Sequence, residues 1–393
     1  MSKNGDPPTS DLYLPDHSEE SHNTMGNPSE AAVAYFPTIP NVWATARYQH
    51  VMALAQAVED FTLITHNTPP TRLQTLATRT EHVGGSFREK VQSACQIARE
   101  RLGNGDPFVT TFHYESALAG FCASTLSKIT WVVDIYDAPA QYRFNAPRSH
   151  HNISSRVLES VLQRADLGIH SSSPDTPFRY GFRKEFISNG SSVEQTNPFF
   201  PPLDPLKLVW IGSPQLDRGG TVLLEALVQT DADVHVNVVG DDYERTASRA
   251  TELGVDSLLT FHGRLNHSDA LEIARNAHVG FALLPSRPDW RFATPIKVGD
   301  YLATGTIPMM SDLPGMRFMA GECGRFLEPN ASAAATVLDE MASLSQSEFE
   351  TEYRHVVDRA HQIDWSRIRA QIATKSLTAS RCRDSLGTLF TKY

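Results

Sequence analysis

The sequence predicts an α/β protein built from two doubly wound, Rossmann-like domains that face each other across a cleft. Three observations carry this. Short apolar runs alternate with helical patterns from residue 31 onward, the rhythm of a parallel sheet covered by helices. A stretch with four prolines, "TNPFFPPLDPLK" at 196–207, breaks that rhythm, because proline fits neither a helix interior nor a central strand. The same rhythm then starts again and runs for a similar length.

Taken in order, residues 1–30 are rich in Ser, Pro, Asn and acids, and are expected to form a disordered tail. "AAVAYFP" (31–37) reads as the first strand, followed by a helix near 46–58 and the strand "FTLIT" (61–65). A helix near 87–101 precedes "PFVTTFH" (107–113), and a helix near 115–128 precedes "TWVVDIYD" (130–137). A helix near 153–165 precedes "DLGIHSS" (166–172). After the break come "KLVWIG" (207–212), a helix over 220–229, "VHVNVVG" (234–240), a helix over 243–253 and "LLTFHG" (258–263). A helix over 268–276, "HVGFALLP" (278–285), a helix over 295–303 and "TIPMM" complete the unit, and the chain from 331 onward reads as helical. The expected domains are therefore 31–200 and 201–375, with a helical tail over 376–393. Ligands of such sheets bind beyond the carboxyl ends of the strands, here between the domains.

Composition narrows the function. The 393 residues carry a net charge of -10, unevenly spread. Residues 1–30 hold one Lys against six acids, residues 31–205 balance, and the remainder is acidic again. Nucleic acid is not an expected partner, since phosphate contacts need clustered cations. No apolar run reaches the roughly 20 residues of a spanning helix, and the N-terminus lacks the apolar core of a signal peptide. The four cysteines, Cys95, Cys122, Cys323 and Cys382, have neither zinc nor disulfide spacing, which suits the reducing cytosol. An Arg-rich run from Arg72 to Arg101 reads first as a solvated helical face. Peripheral contact with anionic lipid at the inner membrane face is the second reading.

Two stretches of the second unit point to an anion. "IGSPQLDRGG" (211–220) ends a strand at Gly212, continues through Ser213 and Arg218, and opens a helix at Gly219 and Gly220. Glycines at a helix start let anionic oxygens approach the backbone amides, where the dipole favours them. "FATPIKVGDYLATGTIP" (292–308) starts its helix at Thr294, Pro295 and Ile296, with Thr294 a good N-cap and Pro295 a good first residue. Lys297 and Asp300 are three apart on one face of this mostly apolar helix. An exposed ion pair would explain them at about 0.3 kcal/mol. One ligand explains them better: a nucleoside diphosphate needs cations for its pyrophosphate and a carboxylate for its ribose diol. Neither a dinucleotide fingerprint nor a P-loop is present.

The order "KLVWIGSPQLDRGG … NVVGDD … LLTFHGRL … ARNAHVGFALLPS … TPIKVGDYLATGTIPMMSDLPG" resembles the C-terminal domain of GT-B glycosyltransferases, in particular glycosyltransferase family four, the group 1 type. Pro295, Lys297, Asp300, Tyr301, Ala303, Gly305 and Pro308 fall on the family's nucleotide-sugar motif, and "HQIDWSRI" (361–368) resembles its late Trp helix. "AYFPTIPN", "FHYESALAG", "VVDIYDAP" and "FISNG" resemble its first domain. The resemblance spans roughly 31–372. It makes 31–200 the acceptor side and 201–375 the nucleotide-sugar side. It implies donor-binding roles for Gly212, Ser213, Arg218, Gly219, Arg264, Thr294, Pro295, Ile296, Lys297 and Asp300, and catalytic roles for His113 and Asp137, with Asp134 as support. The sequence departs from the pattern at several points. Phe292 replaces the first motif acid, Asp300 is shorter than the usual Glu, Ser213 stands where many members have Arg, and "PNVWATAR" replaces the first-loop glycines.

The implied activity moves a sugar from a nucleotide-sugar donor to a saccharide, lipid-linked or small-molecule acceptor, with retention and without metal. No cofactor is implied; the nucleotide sugar is the substrate. Two alternatives stay open: a non-catalytic relative that binds nucleotide sugar, and a GT-B nucleotide-sugar epimerase. The expected location is cytoplasmic.

Overall fold

The computed structural model describes residues 30–37, 46–135, 158, 160–174, 176, 183–203, 205–241, 243–287 and 290–379. The first sheet has seven parallel strands in the order β3-β2-β1-β4-β5-β6-β7. They are β1 (Ala31–Tyr35), β2 (Asp60–Thr65), β3 (Arg79–His82), β4 (Pro107–Thr111), β5 (Thr130–Ile135), β6 (Leu167–His170) and β7 (Lys184–Phe186). The second sheet has six, in the order β10-β9-β8-β11-β12-β13. These are β8 (Leu206–Ile211), β9 (Val234–Val239), β10 (Leu259–Gly263), β11 (Val279–Ala282), β12 (Ile307–Ser311) and β13 (Arg325–Leu327). Both are α/β sheets of the doubly wound kind, so the expected fold class is observed.

Central strands such as "PFVTT" and "TWVVDI" are buried along their whole length, as a sheet covered on both faces requires. Helices of the first unit whose bounds lie among the described residues are α1 (Ala46–Ala57), α2 (Thr71–Leu76), α3 (Phe87–Arg101) and α4 (Tyr114–Leu126), and residues 158 and 160–162 are also helical. Those of the second are α5 (Gly220–Gln229), α6 (Glu244–Leu253), α7 (His267–Arg275), α8 (Ile296–Thr304), α9 (Pro314–Ala320), α10 (Ala331–Ser343) and α11 (Gln346–Gln362). The elements that sequence reading did not anticipate are short or marginal. β3 is the polar "RTEH" and β7 is a half-buried edge strand, so neither carries an apolar signature.

The last helix, α12 (Trp365–Thr378), crosses back. Asp364 caps it, and Trp365, Ile368 and Ile372 join the first core, against α1. The sequence-based limit of 375 for the second domain falls inside this helix, whose apolar face belongs to the first. Residues 380–393, with Cys382, lie outside the described residues. Among the described residues no helix is long and apolar enough to cross a membrane.

Each sheet has one point where strand order reverses: between β1 and β4 in the first, and between β8 and β11 in the second. Crevices open at the carboxyl ends of strands at such points.

Candidate active site

The crevice of the second sheet is built by two loops. The turn after β8 runs from Gly212 to Gly219, and the loop after β11 runs to the start of α8. Tyr301 parts the strands there. Its hydroxyl accepts from Ile211 N at 2.9 Å and donates to Phe281 O at 3.1 Å, filling the gap where β8 and β11 diverge. Burial, with a smaller push from the charge of Asp300, raises its pKa against the opposing hydrogen bond from Ile211 N. Gly219 locks the two loops together. Its φ is 100°, a left-handed value, and a Cβ there would lie 2.1 Å from Leu283 O, so only glycine fits.

The predicted cations meet in this crevice. Lys297 Nζ lies 3.8 Å from where a Cβ on Gly212 would stand. Arg218, on the other loop, sits 5.6 Å from the centre of the Trp290 ring, and Arg287 lies 4.6 Å from the same ring. Among the described residues neither Lys297 nor Arg218 has a carboxylate partner. Burial, then the charge of Arg218, pulls the Lys297 ammonium down to about 8. Helices α5 and α8 both start at this crevice without a side-chain cap, whereas Asn266 caps α7 and Ser345 caps α11. Their first N–H groups and the positive ends of their dipoles add to the same field.

Other predicted residues sit differently. Thr294 is not the N-cap; Pro295 is, and α8 starts at Ile296. Thr294 is buried between domains: its Oγ1 donates to Ser171 O, and its carbonyl accepts from Asn189 Nδ2 at 2.7 Å. Its side chain is used up in joining the two units. Phe292 is likewise tied to the first domain, its carbonyl accepting from Ser173 N at 2.7 Å. Asp300 is not part of an exposed ion pair with Lys297. It is 3% exposed, and its Oδ1 accepts from Ser192 Oγ at 3.0 Å and faces His267 Nε2 at 3.1 Å. Arg264 reaches the same sheet edge but is exposed and pairs with Asp241 at 3.5 Å. Ser213 and Ile296 are partly buried beside the crevice, with Pro295 between the two loops.

At the crevice of the first sheet, His113 stands exposed at the N-cap of α4, with Nδ1 4.0 Å from Glu115 Oε2. Asp137 lies outside the described residues, as do His150 and His151. Asp134 is buried in β5, 3.4 Å from His50 Nδ1. Sequence reading missed His66, Lys90, Glu115, Ser192, His267 and Trp290. Only the burial of Glu115 in an apolar helix start could have signalled one of them. Among the described residues, no group of three or more His, Cys, Asp or Glu could hold a metal.

Comparison with known proteins fits this geometry. Residues 205–346 match the family model described as glycosyl transferases group 1. The match lies within the second domain. The chain as a whole has the fold of solved structures of low identity. Sucrose-phosphate synthase from Thermosynechococcus elongatus has a TM-score of 0.67 at 16% identity, covering 88% of this chain and 98% of its own. HepE from Anabaena, in complex with UDP and glucose, gives 0.69 at 15%, covering 88% and 99%. A glycosyltransferase from Rickettsia africae gives 0.66 at 12%, covering 89% and 98%. No curated protein matches the chain in sequence. The family match covers the second domain, and the structural likeness shows that the chain as a whole has the GT-B fold.

Proposed function

We propose that the chain transfers a sugar from a nucleoside diphosphate sugar to a saccharide, lipid-linked or small-molecule acceptor, with retention and without metal. The carrying observation is the pair Lys297 and Arg218, two cations with no carboxylate partner among the described residues, at the strand-order reversal of the second sheet. A departing diphosphate supplies the missing negative charge, and preorganised cations with helix-end amides stabilise it as it leaves. HepE, a structural neighbour, was solved with UDP-glucose, which supports a nucleotide-sugar donor here. His113, on the facing edge, is the proposed contact to sugar or acceptor. Retention rests on the family resemblance.

The test is a panel of UDP-, GDP-, ADP- and TDP-sugars, read as donor hydrolysis and as transfer, with and without EDTA. Turnover that survives EDTA supports the proposal. Turnover lost to EDTA and restored by Mg²⁺ or Mn²⁺ overturns its metal-independent part. One observation favours a second reading, binding without turnover: Phe292 stands in the place of the first motif acid and its backbone is occupied by Ser173. Tight donor binding with no hydrolysis or transfer across the panel would establish that reading instead.

A further inference from the structure

We propose that His267 is a positioning residue of the nucleotide site, holding Asp300 so that one carboxylate oxygen is presented to the ribose. This rests on the nucleotide reading above. Asp300 is nearly sealed, its side chain 4% exposed. Its Oδ1 is held from two sides, by His267 Nε2 of α7 at 3.1 Å and by Ser192 Oγ of the interdomain segment at 3.0 Å. Among the described residues its Oδ2 receives no hydrogen bond, and unlike Oδ2 of Asp134 it is not sealed from solvent. A carboxylate clamped through one oxygen cannot swing, so the other points in a fixed direction.

His267 is dedicated to this contact. It is the first residue of α7, whose start is capped by Asn266. Its side chain is 13% exposed, and its Nδ1 is buried without a partner. The ring's polar contact among the described residues is with Asp300. Burial pulls the imidazolium down, but the hydrogen bond and charge of Asp300 more than offset it, so its pKa is raised. The charged form therefore gains an ion pair, and the same residue lowers the cost of keeping a buried carboxylate beside a bound diphosphate.

Calorimetric titration with UDP and with 2′,3′-dideoxy-UDP, which lacks the ribose diol, tests the inference. His267→Leu should weaken UDP about tenfold and leave dideoxy-UDP within about twofold. His267→Gln keeps an N–H donor and should recover most of the loss. The double variant His267→Leu with Asp300→Asn should bind UDP no worse than Asp300→Asn alone, because the two act through one oxygen. Retained dideoxy-UDP binding shows that each variant is folded. Equal losses for both ligands, an unaffected UDP affinity, or no recovery by His267→Gln would overturn the role. A parent that binds UDP and dideoxy-UDP equally overturns this inference alone. A parent that binds neither UDP nor any other nucleoside diphosphate of the panel overturns the nucleotide reading with it.

Discussion

The two sheets end in crevices of the same construction, yet they treat charge in opposite ways. At the first, Glu115 gathers one cation and two imidazoles: Lys90 Nζ at 3.3 Å, His66 Nε2 at 3.5 Å and His113 Nδ1 at 4.0 Å. Tyr35 hydroxyl meets the His66 ring at 2.8 Å. Burial, then the charge of Lys90, lowers the His66 pKa, so the ring needs no second proton there. At the second, neither Lys297 nor Arg218 has a carboxylate partner among the described residues. One edge is electrostatically closed within the protein, the other is left open for a ligand. An open edge costs the empty protein stability and returns it when an anion arrives.

The sharpest way to break this comparison is Lys297→Met. The substitution keeps the stem and removes the charge. UDP affinity should fall by about 2–3 kcal/mol, as for a lost charge-assisted contact, while uridine binding should change little. Apo stability should move the other way, rising by roughly 1–3 kcal/mol, because a partly buried, unpartnered ammonium disappears. Calorimetry with UDP and uridine, beside apo melting curves, reads both signs. A lower apo melting temperature would mean that Lys297 is stabilised within the protein and the edge is not open.

Lys90→Met is the matching change at the closed edge, with the opposite expectation. Glu115 is nearly buried and would lose its closest cation. Stability should fall by about 1–2 kcal/mol, discounted because Lys90 keeps some solvent contact. UDP affinity should not change. A UDP loss would show that the first crevice already takes part in nucleotide binding.

This contrast also marks what sequence could show. Lys297 and Arg218 were legible because a cation inside an apolar helix and one before a glycine pair contradict their local patterns. The long central strands and helices such as α3 were legible from periodicity, whereas the capping box at Ser86 emerged only in the structure. Asp300 was legible as a site residue but not as a buried one. Its partners Ser192 and His267 lie 108 and 33 positions away, and no local pattern links them. The return of α12 was hidden for the same reason: its apolar face fits either core, and the packing of Trp365, Ile368 and Ile372 into the first core decides. The cluster around Glu115 was missed because it joins three strand ends and two helices that adjoin only in the fold.

A smaller effect follows from pH. The free Lys297 ammonium titrates at about 8, and a bound diphosphate should raise that value. UDP affinity should therefore weaken as pH rises above 8, by up to about tenfold per unit. Lys297→Met is the control, since ionisation of UDP itself affects both proteins. For the apo protein the sign is reversed. The unfolded chain binds the Lys proton more tightly, so between about 8 and 10.5 the residue adds stability as pH rises. The variant should lack both slopes. An identical pH profile for parent and variant would place the cation outside the site.

The smallest expected effect concerns Arg264, which the family resemblance puts in the donor site. In the structure its side chain is 76% exposed and its guanidinium lies 3.5 Å from Asp241, itself half exposed. Such a pair is worth about 0–1 kcal/mol, because water screens both charges and two long side chains must be ordered. The ion pair also satisfies locally the charge that a phosphate would otherwise meet. Arg264→Ala should therefore change apo stability and UDP affinity by no more than about 0.5 kcal/mol, and raised salt should narrow even that difference. The measurement is calorimetric, parent against variant, at low and high ionic strength. A loss of tenfold or more at low salt would mean that Asp241 gives up its partner when the donor binds. The open edge would then present three cations to the diphosphate, and the contrast with the closed edge would be greater than the empty structure displays.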